Sequence, residues 1–149
     1  MNPINHGQIL VHVIFSTKGQ APLIEENLEP LLYDKIFKIL YDECYSPSLR
    51  IGGGTEHIHI LFVQSRNWSI DRIVERVRAK SAIFMRKWID DFEWQESYAA
   101  FTVSRTEDEI EKDYIARQKE LHKNVSYKDE FRELLERNGV EYDEEGLWE

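Results

Sequence analysis

At 149 residues, 42% hydrophobic and 32% charged, the chain has the length and mixture of one globular domain and excludes a disordered or fibrous one. Its single cysteine, Cys44, excludes an intrachain disulfide framework, residues 1–8 lack the marks of a signal peptide, and no apolar run approaches the roughly 18 residues of a membrane span. A cytoplasmic protein without membrane association is expected, and a net charge of −9 counts against a polyanionic partner unless the charges are segregated.

In chain order, Ile9 to Ser16 (ILVHVIFS) reads as a buried strand, a short β-branched run between polar residues. Lys18 to Pro22 is a loop by its Gly and Pro. A helix is predicted over about 28–43, with Asn27 as N-cap, Pro30 in the first turn and an apolar stripe of Leu28, Leu32, Ile36, Ile39 and Leu40. Ser46-Pro47 ends it. Residues 48–52 form a second strand, and Gly52-Gly53-Gly54 turns the chain into a third over 57–63.

Ser69 caps a helix over about 70–88, with a stripe of Ile70, Ile73, Val74, Val77, Ser81, Phe84, Met85 and Trp88. Ser81 in that stripe is either a small residue allowing close helix–sheet approach or a hydroxyl facing a ligand. Residues 99–104 read as a fourth strand. Thr106-x-x-Glu109 is a capping box for a helix over about 107–122. Ser126 caps a last helix over about 127–137, stopped by Asn138-Gly139; the acidic segment beyond offers Leu147 and Trp148 for docking. The order β-α-β-β-α-β followed by helices predicts an α+β, ferredoxin-like fold. It consists of one antiparallel sheet with the crossover helices on one face, in one domain with a core over 8–122 and a C-terminal helix and acidic tail over 126–149.

The chemistry centres on Gly52-Gly53-Gly54-Thr55-Glu56-His57-Ile58-His59. Alternation along a strand sends His57 and His59 to the same face, where two imidazoles can share a divalent cation. The plainer reading is a pair of part-exposed sheet histidines. Tyr114 and Gln118 stand four apart and share a helix face. Packed on the histidines, they complete a set of two imidazoles, one amide oxygen and one phenol. The three neutral ligands hold a cation, and the phenol attacks phosphorus. Alternatively, Tyr114 is a core tyrosine and Gln118 a solvent-facing amide. Strand alternation turns Glu56 away from a shared cation and leaves it a turn or supporting role, and His12 is expected to be structural. The glycines fit no phosphate-cradle pattern, so tight turning explains them better.

Taken together, the segments ILVHVIFSTKG, GGGTEHIHILF, IVERVRAKSAIFMRKW, FEWQESYAAFTVS, DYIARQKELH and EFRELLERNGVEYDEEGLW resemble, in order and over nearly the full length, the single-tyrosine HUH transposases of insertion sequences, including the repeat-associated tyrosine transposases of bacteria. The resemblance implies that His57 and His59 bind the metal, that Gln118 is the third ligand and that Tyr114 is the nucleophile. It implies a metal-dependent enzyme that cuts and rejoins single-stranded DNA, often presented as a hairpin, through a 5′-phosphotyrosine. Mg2+ or Mn2+ is the implied cofactor, and a homodimer with active sites shared between subunits the implied assembly.

Residues 66–89 hold seven Lys and Arg against two acids, whereas residues 128–149 hold nine acids against three Lys and Arg. Lys18, Arg72, Arg78, Lys80 and Arg86 are therefore candidate DNA contacts, although the same stretch reads as an ordinary solvated helix surface. The overall acidity departs from what phosphate binding usually requires. Two other readings compete: a catalytically silent hairpin-binding protein on the same fold, and a small metal-dependent hydrolase of a non-nucleic substrate.

Overall fold

A computed structural model describes residues 6–149. β1 (Leu10–Ser16), β2 (Ser48–Gly53), β3 (His57–Val63) and β4 (Ala99–Val103) make one sheet in the order β2-β3-β1-β4, with every neighbouring pair antiparallel. α1 (Glu29–Lys38) links β1 to β2, and α2 (Ile70–Met85) links β3 to β4. This is the ferredoxin-like arrangement that the element order predicts. Three helices follow: α3 (Asp108–Ala116), α4 (Gln118–Leu121) and α5 (Tyr127–Arg137). Among the described residues, no helix is long and apolar enough to cross a membrane.

Strand alternation divides the molecule into two layers of packing. Val11, Val13 and Phe15 of β1 and Ile58, Ile60 and Phe62 of β3 pack in one core with Leu32 and Ile36 of α1 and Ile73, Val74 and Val77 of α2. The opposite face presents Leu10, His12 and Ile14 of β1, with Leu61 opposite His12 and His59 opposite Ile14. The C-terminal helices cover this second face. Ile115 of α3 packs on Leu10 and Leu61; Tyr127, Phe131, Leu134 and Leu135 of α5 pack on Ile14, Ala99 and Phe101. Burial from both sides explains why β1 is apolar at every position but His12 and Ser16. Leu147 docks against the α5 cluster, and the Trp148 ring meets those of Tyr127 and Phe131.

Several element ends differ from the sequence expectation. Asn27 does not cap α1. The carbonyl of Glu25 already accepts from the N–H groups of Leu28 and Glu29, so the chain is wound before Asn27 can act. A π turn over Ile39–Glu43 then carries both Ile39 and Leu40 into the core. α2 stops at Met85, and the turn that follows leaves Trp88 48% exposed instead of on the stripe. Ser81 donates to the Val77 carbonyl at 2.6 Å and accepts from the Trp94 indole at 2.9 Å, so its hydroxyl anchors the segment before β4.

Ser104, not Thr106, caps the next turn, accepting from the Thr106 N–H; the predicted helix over 107–122 is divided at Arg117 (φ −97, ψ 17) into α3 and α4. Of the glycine triplet, Gly52 matters most for the site. A Cβ there would lie 2.4 Å from the Ile115 carbonyl oxygen, so the missing side chain is what lets α3 rest on β2.

Candidate active site

β3 brings His57 and His59 onto the face covered by α3 and α5, both fully buried, with ring centroids 5.1 Å apart. Each ring has its Nδ1 engaged. His57 Nδ1 meets Glu56 Oε1 at 2.5 Å, and the ring stacks on Tyr127 at 4.3 Å. His59 Nδ1 meets Nε2 of His12 at 2.8 Å, and His12 Nδ1 meets Glu111 Oε1 at 2.8 Å. With both Nδ1 atoms taken, the Nε2 atoms are the ones that face the space beneath α4 and α5.

Gln118 and Glu130 meet them there. Gln118, 1% exposed, places Oε1 2.9 Å from His57 Nε2. Glu130, 3% exposed on α5, has Oε1 3.4 Å from His59 Nε2 and 3.8 Å from His57 Nε2. Its carboxylate also accepts from Gln118 Nε2 (2.8 Å), from His122 Nε2 (2.9 Å) and from the Tyr114 hydroxyl. One carboxylate thus joins α3, α4 and α5 over the histidines. His59 Nε2 is buried without a hydrogen-bond partner, an orphan that a native interior rarely tolerates unless something is meant to bind it.

The electrostatics follow from burial against a central anion. Burial holds His59 down to about 3, so its ring is neutral at ordinary pH. Burial alone would raise the Glu130 carboxyl, but His122, His59 and Tyr114 around it outweigh that and hold it well below the carboxylate range. Burial would likewise lower His122, yet its contact with Glu130 wins and raises it. Tyr114 is pushed above its ordinary value, first by burial and then by the neighbouring Glu130 charge. In this arrangement the phenol keeps its proton and aims it at Glu130.

His57, His59 and Glu130 have ligand atoms within 4.8 Å of one another. With the Gln118 amide oxygen they form a set of two nitrogens and two oxygens. That set, the engaged Nδ1 atoms and the orphaned Nε2 fit a divalent cation of the Mn2+ or Mg2+ kind. A cavity of about 380 Å3 lined by Glu56, Gln118 and His122 borders this group. Tyr114 borders a second, of about 370 Å3, with Ile110, Asp113, Arg117 and Leu121.

The structure therefore brings His57, His59, Tyr114 and Gln118 together, and does so within one chain. Glu56 takes the supporting position that strand alternation left open to it. The basic candidates lie elsewhere. Arg72, Arg78 and Lys80 are on α2, which packs against the other face of the sheet, and Arg86 follows it. Arg78 donates to the carbonyls of Gln95 and Glu96 at 2.8 and 2.5 Å, and Arg86 to that of Phe92 at 3.0 Å. Arg72 lies over the Trp68 ring at 3.8 Å, Lys80 is 3.9 Å from Glu43, and exposed Lys18 is 3.4 Å from Glu93.

Sequence reasoning missed Glu130, His122 and Glu111. For Glu130 a signal existed: with Tyr127, Phe131, Leu134 and Leu135 it occupies the buried stripe of α5 at helical spacing, an acid where an apolar residue belongs.

Comparison with known proteins places this geometry. A family model described as "Transposase IS200 like" matches residues 5–118, from before β1 to Gln118; Glu130 lies beyond the matched stretch. Among solved structures the chain is similar to a Deinococcus radiodurans protein assigned as a transposase, with 18% identity and a TM-score of 0.63, over 79% of this chain and 96% of that one. It is also similar to a REP-associated tyrosine transposase bound to a REP hairpin, with 13% identity and a TM-score of 0.61, over 84% of this chain and 76% of that one. At these identities the two structures speak for the fold. No curated protein matches.

Proposed function

The chain belongs to the family of IS200-like transposases, and from that premise we propose that it cuts and rejoins single-stranded DNA through a covalent phosphotyrosine on Tyr114. The observation that carries this reading is the convergence of the Tyr114 hydroxyl, Gln118 and both histidines on one buried carboxylate. His57, His59, Gln118 and Glu130 would hold a divalent cation, Mn2+ or Mg2+. Bound there, it would polarise the scissile phosphate and offset its charge.

The remaining chemistry belongs to the chain's own groups. As the Tyr114 oxygen bonds to phosphorus and the P–O3′ bond breaks, the phenol gives up its proton to solvent and the departing 3′ oxygen takes one up, so the step is neutral in protons. Until then the hydrogen bond to Glu130 holds the phenol in place. Attack by a 3′-hydroxyl on the phosphotyrosine reverses these events and frees Tyr114. Because one phosphodiester is exchanged for another, no external energy source is needed.

DNA hairpins are the proposed substrate form, in keeping with the hairpin bound by the REP-associated relative. Phosphate contact by Lys18, Arg72, Arg78, Lys80 and Arg86 is a separate proposal; each contact removed should lower the salt slope of binding by about 0.9. The site needs one chain only, so we place Tyr114 in cis. Dimerisation with exchange of Tyr114 is the alternative, and mixing His57→Ala with Tyr114→Phe protein would restore activity only in that case.

The test is a covalent-adduct assay on single-stranded oligonucleotides tiling the DNA beside the gene, with Mn2+, Mg2+ or chelator. A metal-dependent adduct that disappears in Tyr114→Phe is the expected result; an adduct that survives in Tyr114→Phe overturns the assignment. The tie between Tyr114 and Glu130 favours one second reading, a catalytically silent hairpin binder. It predicts hairpin affinity with no adduct in any metal.

A further inference from the structure

We propose that His12 and Glu111 are positioning residues that fix the tautomer of His59, so that its Nε2 lone pair faces the cation space. The proposal rests on the metal reading above and extends it to two residues that touch no ligand themselves. The contacts form a chain: Glu111 Oε1 to His12 Nδ1, 2.8 Å, and His12 Nε2 to His59 Nδ1, 2.8 Å.

Glu111, as a carboxylate, only accepts, so His12 Nδ1 must carry a proton. His12 is 1% exposed and His59 fully buried, and keeping both rings neutral minimises buried charge. A neutral His12 protonated at Nδ1 has a lone pair at Nε2. It accepts from His59, whose single proton therefore sits on Nδ1. The remaining nitrogen, His59 Nε2, is the atom without a hydrogen-bond partner.

The relay also joins two parts of the site. Glu111 lies on α3, three residues before Tyr114, while His12 and His59 lie on the sheet. Docking the nucleophile helix therefore completes the hydrogen-bond chain behind the metal ligand, and an undocked α3 leaves His59 free to choose the other tautomer.

Nitrogen-15 NMR of the full metal-free chain reads the tautomer, and titration with Mn2+ reads the affinity. Nδ1–H on both rings is expected in the unmodified protein. His12→Phe should lose the fixed His59 tautomer and bind Mn2+ about 10- to 100-fold more weakly, as loss of a ligand's supporting partner usually does. His12→Gln, whose amide oxygen accepts, should recover most of that loss. Glu111→Ala, at a partly buried helix position outside the apolar clusters, should alter the His59 signal although it reaches His59 only through His12; Glu111→Gln should preserve it.

A His59 carrying its proton on Nε2 overturns the proposal, as does Mn2+ affinity unchanged in both His12→Phe and Glu111→Ala. Absence of Mn2+ binding in the unmodified protein would instead sink the metal reading, and the tautomer measurement still decides the relay.

Discussion

Substituting Gly52 by alanine adds one methyl group at the β2 position paired with His59, and it should act on the proposed catalysis through α3. The new Cβ would stand 2.4 Å from the Ile115 carbonyl oxygen and 2.9 Å from its Cγ2. Restoring an ordinary contact requires α3 to retreat from β2 by about 1 Å, since a packed interior has no slack to absorb the methyl. Tyr114 precedes Ile115 and would move with it. A displacement of that size in a reacting group costs on the order of 100-fold in rate, while the overpacking itself costs about 1–3 kcal/mol of stability.

The assay is single-turnover adduct formation on a cleavable hairpin, with thermal unfolding and hairpin affinity measured alongside. The variant should stay folded and bind DNA while forming adduct about two orders of magnitude more slowly. Because the nearest atom is backbone, adding Ile115→Ala should not rescue the rate. A folded Gly52→Ala protein with an adduct rate within about twofold of the parent would mean that this glycine does not set the position of Tyr114.

Other predictions follow from single contacts. Glu130, held low in the folded chain, contributes stability above its unfolded value near ~4.3 that is lost as pH falls; His122, held high, contributes below ~6.5 and loses its share as pH rises through its folded value. In chelator, the difference in melting temperature between the parent and His122→Gln should therefore be largest between about pH 4.5 and 6.5; a flat difference from pH 4 to 8 would contradict the pairing. Ser126→Ala removes the cap that accepts from the Asp129 N–H and should cost about 1 kcal/mol in urea unfolding. It should also weaken Mn2+ binding, because α5 carries Glu130. Arg78→Ala should lower the melting temperature through its two lost carbonyl contacts; unchanged stability would mean those contacts contribute nothing.

How far the sequence could be read depended on whether a signal was local. The alternation in His57–Val63 and the stripes of α1 and α2 are local periodicities, and their apolar residues went largely into the core. The four-residue spacing of Tyr114 and Gln118 was equally visible, and it survives the break at Arg117 because both side chains are drawn to the same carboxylate.

Glu130 escaped because an acid in the first turn of a helix is well accounted for by capping and the helix dipole, which masks its place in the buried stripe. Glu111 was hidden in the same way among Asp108 and Glu109. The role of His12 depends on a register: His59 lies opposite Ile14, two residues along from His12, and only strand pairing makes them neighbours. The helix ends went astray where a competing local bond, such as that of Ser104 or the Glu25 carbonyl, was stronger than the expected cap.

The order in which the site's parts occur along the chain has a consequence for synthesis. Both histidines are present once β3 has been made, but the phenol comes with α3 and the carboxylate only with α5. A growing polypeptide that has emerged as far as β4 holds all four strands but neither Tyr114 nor the central anion. On the mechanism proposed above, an abandoned nascent chain that stops short of α3 would lack the phenol that attacks DNA, so the activity would arise late in translation.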